Sequence, residues 1–223
     1  MTIYTIITAN YDNLKEPLVL TNGWRYICFT DNPGLKSSSW EISLINPTNS
    51  RNDAKRYKIL PYEYIDDPYT IYIDGSFIIN CDLNMFYALH SGRITFMKHP
   101  YRNCVYSEID ACIKYKKDRS ILLNNVKAEY KRERIPPNSG LASSGIIMRS
   151  GGEDFCKLWF ELYMKGCNRD QISWAYANWK MPGYCNMLSW DYRTATEFIY
   201  IPHNNQPDKQ AARLAYLKVN KYI

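Results

Sequence analysis

No two cysteines in this sequence are spaced as CxxC, although seven are present, at positions 28, 81, 104, 112, 156, 167 and 185. An odd, scattered set disfavours both a zinc site and a disulfide framework, and several members sit in apolar runs where a free thiol acts as a small hydrophobe. Nothing approaches the run of about 20 apolar residues that spans a membrane. The N-terminus opens on a strand-like segment without a basic leader. A reduced, cytoplasmic protein with no membrane span is the expectation. Zinc-finger, homeodomain and RNP signatures are missing too, as are internal repeats, low-complexity tracts and linkers. The net charge is +6. Its local concentrations, Lys114 to Arg119 and Lys127 to Arg134, therefore read as solvated helix faces, and no nucleic-acid partner is expected.

What is present bounds the fold. A chain of 223 residues with 46% hydrophobic content can bury one good core. Twenty tyrosines and six tryptophans suit a concave ligand site, although most such rings serve the core. Apolar runs at Ile3 to Thr8, Arg25 to Phe29 and Tyr69 to Ile73 read as strands, the first two ending in Thr and Asx clusters. That is the pattern of a parallel sheet presenting its loops at one edge. Trp40 to Ile45, Arg93 to Met97 and Phe198 to Ile201 are further strands. Helices are expected over Arg51 to Leu60 with Asn49 or Ser50 as cap, from Asp82 to His90, around Val105 to Ile113, and over Ser120 to Arg134. Glu108 and Asp110 are expected on the flanks of the third of these. Ser150 with Glu153, and Asn168 with Gln171, have capping-box spacing ahead of two more helices. Residues 1–210 are expected to form one domain, and 211–223 a terminal helix or the start of a connection to a further domain.

Candidate functional residues cluster at the strand ends. Asp74 follows a buried strand, where a sheet-edge carboxylate would meet a metal or a phosphate; Asp74-Gly75 also suits a simple hairpin turn. Arg51, Lys55, Arg56 and Lys58 can hold a diphosphate or form a basic solvent face. Asp170 and Gln171 open a helix, where a dipole-favoured carboxylate and a reciprocal cap are the better local explanation. Gly140 to Gly145 is a small-residue loop that lets backbone approach a ligand. His203, one of three histidines, ends the last strand.

Taken in order, the segments Ile6-Thr8-Ala9-Asn10-Tyr11-Asp12, Phe29-Thr30-Asp31, Lys55 to Pro61, Ile71-Tyr72-Ile73-Asp74-Gly75-Ser76, Lys98-His99-Pro100, Gly140-Leu141 and Arg169-Asp170-Gln171 resemble a small glycosyltransferase of the GT-A fold. The resemblance is to the glycosyltransferase domains encoded by chlorella viruses, large algal viruses, and to related plant and bacterial domains. It implies an α/β single domain with a central, mostly parallel sheet flanked by helices, and, if the gene is viral, the cytoplasm of a host cell. It implies transfer from a UDP-sugar, of the UDP-glucose or UDP-rhamnose type, to a glycan acceptor, with Mn²⁺ or Mg²⁺ on the diphosphate and either retention of configuration or inversion with Asp170 as general base. An inactive nucleotide-sugar binding domain is the alternative. By the same resemblance Thr8, Asn10, Tyr11 and Asp31 would hold uridine, and Arg51 and Lys55 the base or diphosphate. Gly140, Leu141 and Ser143 would line donor sugar or acceptor; Asp74, Gly75 and Ser76 stand in the metal motif, whose second carboxylate is a serine here. Asp74, Ser76 and His203 would be the metal ligands, and Asp170 and Gln171, with Asp74, the catalytic residues. His99, Arg102 and Glu108 are further candidates.

Overall fold

The computed structural model describes residues 1–46, 50–191 and 194–220. A seven-stranded sheet forms the centre, and a two-stranded sheet lies beside it. In chain order the strands are β1 (Thr2–Ile7), β2 (Arg25–Thr30), β3 (Glu41–Leu44), β4 (Thr70–Ile73), β5 (Phe77–Ile79), β6 (Ile94–Lys98), β7 (Ala142–Arg149), β8 (Cys185–Leu188) and β9 (Phe198–Tyr200). The central order is β3-β2-β1-β4-β7-β6-β8. All of these are mutually parallel except β7, which runs against both neighbours. This is an α/β fold with a mostly parallel sheet, as the strand pattern implied.

The helices are α1 (Ser50–Ile59), α2 (Leu83–Tyr87), α3 (Val105–Lys114), α4 (Ser120–Arg132), α5 (Glu153–Lys165), α6 (Asp170–Lys180) and α7 (Pro207–Val219). Strand residues alternate between two buried faces, so the runs read as continuously apolar. Tyr4, Tyr72 and Phe96 pack on one side with Ile109, Trp159 and Trp174 from the larger helices. Ile3, Ile71 and Ile73 pack on the other with Phe77, Phe86 and Phe198 from the small sheet and α2.

Several local expectations give way to tertiary contacts. Asp74 and Gly75 do turn the chain, Phe77 N–H donating to the Asp74 carbonyl at 3.1 Å. No hairpin follows, however, because β5 leaves the main sheet and pairs with β9. Asp82 caps α2 as expected, accepting from the amides of Asn84 and Met85. Neither capping box forms. Gly152, at φ 90, precedes α5, while the Ser150 hydroxyl meets His90 and the Gly92 carbonyl. Arg169 precedes α6 without a side-chain cap, and Asn168 is held by Asp118 instead. Glu108 faces inward at 3% exposure, not along a flank. Of the cap expected for α1, Asn49 and the Ser50 side chain lie outside the described residues. The terminal helix starts at Pro207, so the 210/211 boundary falls inside α7, which packs Leu217 on Ile199 and Ile201.

Candidate active site

A cleft of about 890 Å³ opens where β1, β4 and β6 end and the antiparallel β7 begins. This is the carboxyl edge of the parallel strands, where α/β sheets place their ligands. Its central charges come from the turn after β4, one face of α1 and the start of α6, and Asp12, Arg102, Glu108 and Lys117 add others around them.

Arg51, Lys55 and Lys58 recur at helical spacing and all line the cleft. Arg56, off that face, pairs instead with Glu63 and the Tyr64 hydroxyl. Lys58 is 2% exposed. Burying an ammonium this deeply is tolerable only with charged partners. It has two, lying 2.9 Å from Asp170 Oδ2 and 3.4 Å from Asp74 Oδ1. Lys55 reaches the same Asp170 oxygen at 2.9 Å, and the Ser144 hydroxyl donates to it at 2.9 Å. The Trp159 indole N–H fixes the Asp170 carbonyl at 2.8 Å. Asp170 is thus the hub of the site, and a solvated first-turn carboxylate it is not.

Electrostatics follow from this packing. Burial pushes the Asp170 carboxyl up, but Lys55 and Lys58 outweigh it and hold the group well below the usual carboxylate range. Burial likewise lowers Lys58, and Asp170 and Asp74 more than restore it. For Lys55 burial prevails, and its ammonium is lowered despite Asp170. A depressed carboxyl contributes stability that is present above its unfolded value, about 3.9, and is lost as pH falls through the folded one. Urea unfolding at pH 6 and pH 3 is therefore expected to show a loss in the native chain that is smaller in Asp170→Asn. Equal losses in both would refute the assignment.

Asp74 sits at the rim, its side chain 35% exposed. The Tyr72 hydroxyl donates to its Oδ1 at 2.6 Å, and burial together with Asp74 raises that phenol well above its ordinary value, so it stays a donor. Gly75 is needed for close packing: a Cβ there would lie 3.0 Å from Ile7 Cγ1 and 3.3 Å from Asp12 Cβ. Across the turn, His203 Nδ1 lies 2.9 Å from Asp12 Oδ2, and the Tyr11 ring stands 4.8 Å from the imidazole. On the far wall, Arg102 Nε donates to Glu108 at 2.5 Å and the Cys112 thiol to the same carboxylate at 3.3 Å. The backbone amides of Tyr101 and Arg102 donate to His99 Nδ1, and its Nε2 lies 3.3 Å from Arg102 Nη2 and 3.6 Å from Glu108.

Most of the residues singled out in the sequence meet here. Thr8, Tyr11, Arg51 and Lys55 line the cleft, as do Asp74, Gly75, Ser76 and Ser143, and Asp170, Gln171 and His203 complete it with His99, Arg102 and Glu108. Four do not. Asp31 accepts the Ala9 amide at 2.9 Å, and the Asn10 side chain meets Asn32, so both shape the loops behind Thr8 and Tyr11. Gly140 and Leu141 line a smaller hollow of about 410 Å³, shared with His99 and Arg102. Three residues were missed as site members, Asp12, Ser144 and Arg169, and Lys58 stood only among the cations of α1. The sequence signal for Lys58 was its helical spacing from Arg51 and Lys55.

The three expected metal ligands, Asp74, Ser76 and His203, all line the cleft, but they bring only one carboxylate and one imidazole. Among the described residues no group of three His, Cys, Asp or Glu side chains is arranged to hold an ion. His203 is engaged with Asp12, and Asp74 Oδ1 faces Tyr72 and the Lys58 ammonium. Unit charges of one sign about 4 Å apart repel by about 4 kcal/mol at an effective dielectric of about 20, and a divalent ion by about twice that, so an ion on Asp74 would have to overcome Lys58.

Fold and cleft together define an α/β domain with a charged ligand site at its strand ends. Residues 40–196, well over half the chain, match the TOD1/MUCI70 glycosyltransferase-like domain, and the chain belongs to that family. No curated protein sequence matches it. Among solved structures, the galactosyltransferase LgtC, in complex with donor and acceptor sugar analogues, aligns over 84% of this chain and 73% of its own at 12% identity, with a TM-score of 0.45. Mouse xyloside xylosyltransferase 1 aligns over 83% of this chain and 84% of its own at 7% identity and TM-score 0.44. The glycosyltransferase GlyE of Streptococcus pneumoniae TIGR4 aligns over 84% of this chain and 45% of its own, at 10% identity and TM-score 0.46. No helix among the described residues is long and apolar enough to cross a membrane.

Proposed function

We propose that this glycosyltransferase-like domain is a GT-A enzyme that transfers a sugar from a UDP-sugar, of the glucose or rhamnose type, to a glycan acceptor. The observation that carries the reading is the charge of the cleft. Six cationic side chains line it against four carboxylates, Asp12, Asp74, Glu108 and Asp170. Such a surplus favours an anion as large as a nucleoside diphosphate. Thr8 and Tyr11 would meet the uridine, on loops braced by Asn10 and Asp31. Arg51, Lys55 and Lys58 would face the diphosphate. Asp170, kept ionised by its lysines, supports an oxocarbenium-like centre by the charge logic of the glycosidase carboxylates, with Gln171 on the donor hydroxyls. The hollow beside Gly140, Leu141, His99 and Arg102 is the proposed acceptor side.

In the retaining route, the bond from the sugar C1 to the β-phosphate oxygen breaks and its electron pair passes to that oxygen. The acceptor hydroxyl oxygen bonds C1 on the same face, and its proton passes to the departing phosphate. The products are the glycoside and UDP. The single carboxylate of Asp74-Gly75-Ser76 favours a second reading, a domain that binds nucleotide-sugar without turning it over.

Thermal unfolding with UDP, GDP, ADP and CDP tests the donor site. Saturation at 100 times the dissociation constant adds about 2.7 kcal/mol, worth about 5 to 10 °C at this size. A rise of that order is expected for UDP and less for the others; no rise with any of them would overturn the reading. UDP-sugar consumption with a glycan acceptor separates the enzyme from the silent binder.

A further inference from the structure

Lys58 is buried in the wall of the cleft. Its ammonium stands between the carboxylate at the end of β4 and the one that opens α6, at 3.4 Å and 2.9 Å. It lines the cleft with Lys55, which shares the Asp170 oxygen, and with Arg169. Arg169 Nε is buried without a hydrogen-bond partner among the described residues, although the residue opens α6 directly beside Asp170. Two lysines thus stand against two carboxylates, and the guanidinium adds a further positive charge at the same end of the cleft. His203 is engaged by Asp12 and Asp74 by Tyr72 and Lys58, while two fixed ammonium groups converge on Asp170.

We propose that the chain carries its own cation: Lys58, with Lys55 beside it, supplies the positive charge that stabilises the leaving diphosphate, and donor binding is independent of a divalent metal. The idea rests on the donor-site reading above. A lysine suits it chemically. An ammonium is a compact charge with three donors, and one already desolvated and fixed by ion pairs needs little rearrangement when charge builds on the phosphate oxygen. In the transfer step that oxygen receives the C1 bonding pair and the acceptor proton, so the lysines remain protonated throughout and no further reactant is needed. Serine at position 76 fits the same picture, because a site that binds no divalent ion has no use for a second carboxylate.

The test measures UDP affinity of the full chain by calorimetry, in EDTA and in Mn²⁺, with Mn²⁺ binding to the free chain followed by electron paramagnetic resonance. The expected results are a UDP dissociation constant that changes less than about threefold between the two conditions, and Mn²⁺ binding no tighter than millimolar. Lys58→Met and Lys55→Met should each weaken UDP about tenfold or more. If Lys58→Met fails to fold, Lys55→Met and the EDTA comparison decide the matter. UDP binding that needs Mn²⁺, with the need abolished in Asp74→Asn, would overturn the proposal and leave the donor site standing. Unchanged affinity in both lysine variants would overturn it as well. Absence of UDP binding under either condition would overturn the donor site and this proposal together.

Discussion

Asp170→Asn is expected to cost about 3 to 5 kcal/mol of stability, the range for removing one partner from a buried ion pair, and to lower sugar transfer about a hundredfold or more. The side chain changes by one atom and keeps its volume, so packing against Trp159 survives. What changes is charge. Lys55 and Lys58 both lie 2.9 Å from Asp170 Oδ2, and without that carboxylate Lys58 keeps one carboxylate among the described residues, Asp74 at 3.4 Å, and the Ser144 hydroxyl at 3.2 Å. Lys55, whose ammonium burial already lowers, would be the first to lose its proton. The midpoint should fall about 2 to 4 °C for each kcal/mol. UDP binding should suffer less than turnover, because the diphosphate sees a more positive cleft while the sugar carbon loses its carboxylate. Urea unfolding and donor consumption read the two effects separately. A stability change under 1 kcal/mol would mean that the lysines are neutralised by something other than Asp170, and unchanged transfer would remove Asp170 from the chemistry.

The residues that were legible in the sequence and those that were not divide along a physical line. Asp74 could be found because its signal is local: a buried four-residue strand, Thr70–Ile73, ends and a carboxylate follows at the sheet edge. The same holds for Thr8 after β1 and for the cap at Asp82. Lys58 was visible only as one of several cations on α1, because what buries it comes from afar. The partner of Lys55 at Asp170 is 115 residues away, and that of Asp12 at His203 is 191. No window along the chain contains either pair. The two capping boxes failed for the converse reason. Their local pattern was real, but Ser150 and Asn168 found tertiary partners in His90 and Asp118, and helix starts yielded to them. The helical spacing of Val105, Ile109, Cys112 and Ile113 puts Glu108 on a flank, and it turns inward because Arg102 and His99 meet it.

Arg149, far from the cleft mouth, should rank next in effect. It is 3% exposed, and it has no carboxylate within ion-pair distance among the described residues. Its Nη2 donates to the Lys58 carbonyl at 2.8 Å, and its Nη1 lies 3.1 Å from the Tyr4 hydroxyl, which itself donates to that carbonyl at 3.2 Å. The guanidinium therefore stands at the C-terminal end of α1, where the helix dipole favours a cation and the last carbonyls lack helical partners. Hydrogen bonds from a charged donor are worth about 1.5 to 3 kcal/mol each, so Arg149→Ala should cost about 3 kcal/mol or more. Arg149→Met, which keeps much of the volume and buries no charge, should cost less. Both variants free the backbone at Lys58, so UDP affinity should weaken in each even though neither touches the ligand. A loss within about 0.5 kcal/mol, the size of an ordinary surface substitution, would show that Tyr4 alone holds the end of α1. Stability lost with UDP affinity intact would show instead that Lys58 is positioned by its own ion pairs, with the arginine serving the fold alone.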